Sequence, residues 1–140
     1  GKKGFGFIPF PENNLKSPQI GKVIIKEGAE IGSNCNIDRG SMSDTIIGSN
    51  TFLDDKIKIA HNVKIGKNCI IAGQSGIAGS TIIGDNVAIG GKVGISGHLK
   101  IGNNVKIAGG SGVTKNVPDN TKIMEYPAVP IKDFIKQKKQ

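Results

Sequence analysis

Aliphatic residues recur at every sixth position along most of the chain. The residue after each of them is usually small, and the fifth position of a cycle is small or β-branched in most cycles. A period of six fits neither a 3.6-residue helix nor a two-residue strand alternation, and it is typical of a parallel β-helix, in which each hexad is one strand and one turn. The predicted inward positions are Ile47, Leu53, Ile59, Ile65, Ile71, Ile77, Ile83, Ile89, Ile95, Ile101, Ile107 and Val113.

The same six-residue step appears earlier, at Ile25, Ile31 and Ile37. The gap from Ile37 to Ile47 is six residues plus four, so we expect Ser41–Asp44 to be a loop pushed out of the repeat. We predict an all-β chain with three parts: a lead-in segment at 1–22, the β-helix at 23–118, and a loop and helix at 119–140. In the last part, Ile131, Phe134 and Ile135 have helical spacing, which predicts a short helix covering the open edge of the last coil.

Three hexads form one coil of about eighteen residues, so residues eighteen apart stack as neighbours about 4.8 Å apart. With the loop removed, one column along an edge contains Arg39, His61, Gly79, Gly97 and Lys115. His98 lies on the same edge, roughly 10 Å from His61. Because Gly79 has no side chain, we expect a hollow there with an accessible backbone N–H. The spacing predicts a cleft containing both histidines of the chain.

Composition narrows the function classes. The chain has 140 residues and a net charge of +8. Its basic residues are scattered, and only the C-terminal tail is dense in them, which disfavours a surface that binds nucleic acid by base stacking. No apolar run of membrane-spanning length and no export signal is visible, so we expect a cytoplasmic protein. Cys35 and Cys69 occupy equivalent positions of the repeat and are expected to be packed thiols. Two histidines with no nearby cysteine make a zinc site unlikely to form within one chain, and we predict no metal.

Several motifs resemble one family, the UDP-3-O-acylglucosamine N-acyltransferases of lipid A biosynthesis. Hexapeptide repeats occur in many transferases, but the separations of the "IDRG", "AHN" and "GH" elements are far more specific. The match covers nearly the whole chain, through "GFGF" (Gly4–Phe7), "IDRG" (Ile37–Gly40), "IAHNVKIG" (Ile59–Gly66), "GIAGSTIIG" (Gly76–Gly84), "SGHLKIG" (Ser96–Gly102) and "YPAVP" (Tyr126–Pro130).

The resemblance implies a left-handed β-helix, a homotrimer, and active sites at clefts between protomers. It also implies transfer of a 3-hydroxyacyl group from the phosphopantetheine of acyl carrier protein to the 2-amino group of a UDP-glucosamine derivative, with no tightly bound cofactor. Members of the family carry an N-terminal domain that helps to hold the uridine, whereas this chain begins almost at Gly4. We therefore expect either the catalytic portion of a longer protein or a shortened form.

The chemistry of such a transfer suggests roles for individual residues. Amine attack on a thioester needs a base, and imidazole, with a reference pKa of about 6.5, suits neutral pH. We interpret His61 as the general base, Gly79 as the oxyanion donor and His98 as a substrate-positioning group. Asn62 and Arg39 are further substrate-binding candidates, with a turn role equally open for Asn62.

Asp54 is a further substrate-binding candidate, since it keeps the position of an aspartate in the family, where the next residue is usually Asn rather than Asp55. It lies on a different face from His61, so any partnership would form across a trimer interface. We also expect the glycines of Ala108–Val113, above all Gly112, to leave an acyl channel open; the alternative is that they only turn the chain. An acetyl-CoA-dependent acetyltransferase and a non-catalytic remnant remain alternative functions.

Overall fold

The computed structural model describes residues 1–8, 14–124 and 128–139. These residues form short strands and one helix. The strands are β1 (Phe7–Ile8), β2 (Leu15–Lys16), β3 (Val23–Ile25), β4 (Glu30–Ile31), β5 (Asn36–Ile37), β6 (Thr45–Ile47), β7 (Phe52–Leu53), β8 (Lys58–Ile59), β9 (Lys64–Ile65), β10 (Ile70–Ile71), β11 (Gly76–Ile77), β12 (Ile82–Ile83), β13 (Ala88–Ile89), β14 (Gly94–Ile95), β15 (Lys100–Ile101), β16 (Lys106–Ile107), β17 (Gly112–Val113) and β18 (Lys122–Ile123), and the helix is α1 (Ile131–Lys138).

The strands from β3 onward stack into three parallel sheets that enclose a solenoid of about six turns. Sheet 1 contains β3, β6, β9, β12 and β15; sheet 2 contains β4, β7, β10, β13, β16 and β18; sheet 3 contains β5, β8, β11, β14 and β17. Successive coils pair in strict register, as Ile59 pairs with Ile77 and Ile77 with Ile95. The predicted β-helix is therefore confirmed.

The pairing also confirms the predicted loop. Ile37 pairs with Ile59, a step of 22 rather than 18 residues, so Ser41–Asp44 is extruded without disturbing the register. The last coil is shorter, because Ile107 pairs with Ile123, a step of 16. The parallel strands thus continue to Ile123, past the expected boundary at residue 118.

The core contains the residues that the six-residue period selects. All twelve predicted inward positions from Ile47 to Val113 are buried. Cys69 is buried among them, and Cys35 packs against this core. Five hydroxyl residues are buried in the described part of the chain, and three of them, Thr51, Ser75 and Thr81, both donate and accept a hydrogen bond. Thr81, for example, donates to the Ser96 carbonyl at 2.7 Å and accepts from the Leu99 N–H at 3.2 Å. Ile25 is half exposed, since the first coil has a neighbour on one side only.

The turns between strands use a left-handed backbone conformation at the same position in almost every hexad. Asn is the commonest residue there, which follows from its tolerance of positive φ. Asn62 (φ 64°) and His98 (φ 58°) both occupy such positions. Both residues therefore have a turn role, whatever else their side chains do.

The segments outside the solenoid differ in how they attach. In the lead-in segment, β1 and β2 form an antiparallel pair. The predicted C-terminal helix is present as α1, but none of its residues is buried in the single chain. In the single chain, α1 therefore does not bury its residues against the edge of the last coil, although the sequence predicts that it does. Within the described ranges, no helix is long and apolar enough to cross a bilayer.

We predict that Ile77→Asp abolishes folding, because it places a charge at a position that is 1% exposed inside the coil. Ile82→Asp is the matched control, since Ile82 points outward from the next strand and is 47% exposed. Circular dichroism and thermal unfolding of both variants check this. A folded, soluble Ile77→Asp variant would contradict the hexad register.

Candidate active site

An open groove runs along the outer surface of sheet 3, parallel to the stack of coils. Its volume is about 480 Å³. Outward-facing residues of β8, β11, β14 and β17 form its floor, namely Lys58, Gly76, Gly94 and Gly112. A Cβ added at any of the three glycines would meet nothing within 4 Å. The groove therefore exists because three successive side chains are absent.

The structure refines the predicted acyl channel. Gly112 does line the groove, whereas Gly109 borders a separate cavity on sheet 2 and Gly110 is a turn residue with φ 77°. Only one glycine of the predicted stretch therefore opens the groove. The sequence interpretation missed Gly76 and Gly94, although the successive steps of eighteen residues from Gly76 to Gly94 and from Gly94 to Gly112 were a signal that could have revealed them.

His61 and Gly79 lie together where sheet 3 ends, at what we call the histidine corner. A Cβ added at Gly79 would lie 2.7 Å from Cε1 and 2.7 Å from Nε2 of His61. The predicted hollow at Gly79 is therefore filled by the imidazole itself, which is a correction to the empty cleft. His61 is half-buried rather than a fully exposed turn residue. Its neighbours Ala60 and Ala78 line the groove, so the imidazole lies at the edge of the groove.

One of the two backbone hydrogen-bonding groups of Gly79 has a partner. Its carbonyl accepts the N–H of His98 at 3.0 Å. Its own N–H donates to no group in the described parts of the chain. A hydrogen-bond donor is thus available beside Nε2, as the interpretation of Gly79 requires.

Asn62 fixes the tautomer of the imidazole. Its Nδ2 donates to the Ser43 carbonyl at 3.1 Å and to Ser43 Oγ at 2.8 Å, which orients the amide. Its Oδ1 accepts the Ser41 N–H at 3.1 Å and lies 2.9 Å from His61 Nδ1. Because an amide oxygen only accepts, Nδ1 must carry the proton, and Nε2 of the neutral ring has a free lone pair.

The remaining predicted residues have other neighbours. His98 is exposed on the histidine corner, one coil beyond Gly79. The Nε–H of Arg39 donates to the Gly1 carbonyl at 3.2 Å, so this side chain is engaged with the lead-in segment. Asp54 lies at the opposite edge of sheet 3, where it accepts the Gly73 N–H at 3.1 Å. The single chain therefore does not bring Asp54 to His61, as expected.

A buried carboxylate lies near the end of the groove, and the sequence interpretation missed it. The Asp38 side chain is fully buried, with its oxygens 3.1 Å from Lys2 Nζ and 2.8 Å from Lys58 Nζ. In the part of the chain that the structure describes, these ammonium groups are its polar partners. The hydrogen bond and charge of Asp38 raise the pKa of Lys2. Lys58 thus places a positive charge at one end of the groove floor.

The chain matches a known repeat family. Residues 44–79 and 80–115 both match the family described as bacterial transferase hexapeptide (six repeats). A curated UDP-3-O-acylglucosamine N-acyltransferase from Granulibacter bethesdensis is 56% identical over 98% of this chain and 40% of its own length. A protein of the same name from Rhizobium rhizogenes is 49% identical over 53% of this chain and 21% of its own length. The chain thus spans less than half the length of these curated relatives.

Solved structures support the same fold. LpxA from Acinetobacter baumannii aligns with a TM-score of 0.65 and 29% identity, over 88% of this chain and 55% of that one. UDP-N-acetylglucosamine O-acyltransferase (LpxA) from Moraxella catarrhalis aligns with a TM-score of 0.78 over 99% of this chain and 53% of that one, at 23% identity. The solenoid shares the left-handed parallel β-helix of these neighbours. The chain is therefore similar over nearly its whole length to a curated UDP-3-O-acylglucosamine N-acyltransferase, and it belongs to the bacterial hexapeptide-repeat transferases.

Proposed function

We propose that this chain carries the catalytic centre of an N-acyltransferase of lipid A biosynthesis. The enzyme moves a 3-hydroxyacyl group from the phosphopantetheine of acyl carrier protein to the 2-amino group of UDP-3-O-acylglucosamine. One observation carries the proposal: Nε2 of His61 lies against Gly79, whose backbone N–H donates to no group in the described residues, at the edge of a groove lined mainly by glycine and aliphatic residues.

The arrangement suits thioester aminolysis step by step. The amine nitrogen attacks the thioester carbonyl carbon while His61 Nε2 takes its proton. The oxyanion that forms accepts the Gly79 N–H. Collapse of the tetrahedral intermediate breaks the C–S bond, and the imidazolium returns the proton to the leaving thiolate. The products are an amide and a free phosphopantetheine thiol, so proton and electron pairs balance without a metal or a redox group.

Asn62 acts on the base rather than on the substrate in this proposal. Its amide atoms are already engaged with Ser41, Ser43 and His61. Holding Nδ1–H orients the ring and keeps the proton on Nδ1, which leaves Nε2 as the atom that takes the proton of the amine during attack. We propose His98 as the residue that positions the sugar nucleotide, since it projects from the same corner one coil further along.

The acyl chain occupies the groove on sheet 3 in this proposal. From Lys58 to Gly112 there are three coil steps, or about 14 Å at the usual strand spacing. The lining between these points is glycine and aliphatic residues apart from Ser96, which suits a hydrocarbon chain. Among the glycines of the groove floor, Gly112 lies furthest along the stack from His61 and is therefore where the chain length would be limited.

We propose that the protein functions as a cytoplasmic homotrimer with its sites between protomers. An apolar pair on sheet 2 supports the assembly of several protomers. Phe52 and Ile70 are paired in register there, and they are 43% and 58% exposed in the single chain. A second copy would cover this apolar pair. The site would then also receive Asp54 from a neighbouring protomer. The length of the relatives leaves room for additional residues that hold the uridine.

Mass spectrometry of the reaction products tests the function. The protein, in its longest natural form, is incubated with acyl carrier thioesters and UDP-3-O-acylglucosamine. We expect the diacylated nucleotide, and we expect His61→Ala to slow its formation by roughly 10² to 10⁴ with folding retained. Turnover with coenzyme A esters alone would favour the acetyltransferase alternative. Unchanged turnover in His61→Ala would remove His61 from the mechanism.

Asn62→Ala tests the orientation of the base. We expect kcat to fall by about 10- to 100-fold, because the imidazole loses the acceptor that fixes its tautomer. Asn68→Ala is the matched control: Asn68 has the same left-handed backbone (φ 57°) one hexad later. Equal losses in the two variants would show that only the turn matters. Steady-state kinetics of both proteins decide between these outcomes.

Gly112→Met tests the groove. A methionine there would project into open space above the groove floor, so we expect a preference for shorter acyl chains. The shift should not exceed a few kcal/mol, since each buried methylene contributes about 0.8 kcal/mol. Lys106→Met, on sheet 2, is the control for an added methionine. Identical chain-length profiles for Gly112→Met and the unaltered protein would show that Gly112 does not limit the acyl chain.

A further inference from the structure

The lead-in segment lies close to the side chain of His61. A Cβ added at Gly4 would lie 2.6 Å from Cβ, 3.0 Å from Cγ and 2.9 Å from Cδ2 of His61. Side-chain carbons are essentially never found so close to one another. Gly4 does not have the positive φ that would otherwise explain a glycine. Close approach to His61 is therefore the reason that a side chain is excluded at this position.

This approach depends on how the segment is attached. The Lys2 carbonyl accepts the Arg39 N–H at 2.8 Å, and the Gly1 carbonyl accepts Arg39 Nε–H at 3.2 Å. Lys2 Nζ also reaches the buried Asp38 carboxylate at 3.1 Å. Asp38 and Arg39 belong to the coil before that of His61, so the segment is bound to the solenoid immediately beside the imidazole.

We infer that Gly4 and Lys2 form a positioning clamp for the base: Gly4 confines the imidazole of His61 against Gly79, and the Lys2–Asp38 ion pair keeps the lead-in segment in place. This inference rests on the proposed function of His61. Gly4 and Lys2 are positioning residues, because neither is required to touch substrate.

The clamp matters because the imidazole is otherwise held at one atom. Asn62 fixes Nδ1, but a single hydrogen bond leaves the ring free to pivot about it. Contacts at Cγ and Cδ2 from Gly4, and at Cε1 and Nε2 from Gly79, remove that freedom. A displacement of about 1 Å in a reacting group can cost about 100-fold in rate, so a rigid clamp has a direct effect on kcat. Substrate binding, in contrast, does not depend on it.

The principal test compares Gly4→Ala with Gly6→Ala. Gly6 lies in the same segment, and the atoms nearest to a Cβ there would belong to Gln19 and Ser17, at 3.1 Å or more. We expect Gly4→Ala to lower kcat by about 10- to 100-fold with KM changed less than about twofold. Gly6→Ala should match the unaltered protein. Equal kinetics for the two variants would overturn the clamp.

A second readout does not require turnover. In protein labelled with [15N]histidine, nuclear Overhauser contacts should join the His61 ring protons to the α-protons of Gly4 and Gly79. His98, the other histidine, provides an internal reference. We expect Gly4→Ala to weaken the contact to Gly79 and to shift the His61 ring signals, whereas Gly6→Ala leaves both unchanged. Ring signals that are the same in all three proteins would overturn the inference even where catalysis is measurable.

Lys2 provides an independent variant in case Gly4→Ala does not fold. We expect Lys2→Met to lower kcat by about 3- to 10-fold, Lys2→Arg to restore it, and the adjacent Lys3→Met to have no effect. Lys2→Met indistinguishable from Lys3→Met would overturn the role of the ion pair. An unaltered protein without acyl-transfer activity would refute the proposed function, while the contacts between His61 and Gly4 would still decide the clamp.

Discussion

Strict stacking of one coil on the next is the constraint on which the rest of the structure depends. Each strand donates to the carbonyls of the following coil, as Ile46 N–H donates to Val63 O and Lys64 N–H donates to Thr81 O. A slip of one residue would turn the aliphatic side chain of every strand outward. Burial of one isoleucine or valine per hexad therefore fixes the register, and the register fixes which residues form a column on the outer surface.

The candidate site forms where glycines take the place of larger residues in these outer columns. In sheet 3 the outward position is glycine in three successive coils, and the result is a groove that follows the stack. At the histidine corner, Gly79 leaves space that the ring of His61 occupies. A solenoid with a side chain at each of these positions would have the same core and the same strands, because the outward residues contribute little to the hydrophobic interior. Chemistry and stability are thus carried by different faces of the same strands.

Much of this could be predicted from the sequence because a repeat converts sequence distance into spatial distance. The inward positions, the extruded Ser41–Asp44 loop and the contact between His61 and Gly79 all follow from counting residues. The contacts of Gly4 and of Asp38 could not be obtained in this way, since the lead-in segment lies outside the repeat. The helical spacing of Ile131 and Phe134 identified a helix with an apolar side, but such spacing does not specify what covers that side.

The position of the extruded loop Ser41–Asp44 in the repeat links the fold to the proposed base, His61. The four extra residues fall in the coil before His61, and they supply Ser41 and Ser43, whose backbone and hydroxyl groups hold the amide of Asn62. A regular coil has no residues to spare for this purpose, because each of its turns is only long enough to join two strands. Since Ile37 still pairs with Ile59 across the loop, the interior is unaffected. The repeat is therefore interrupted where an additional set of polar partners can fix the tautomer of His61 without any loss of core packing.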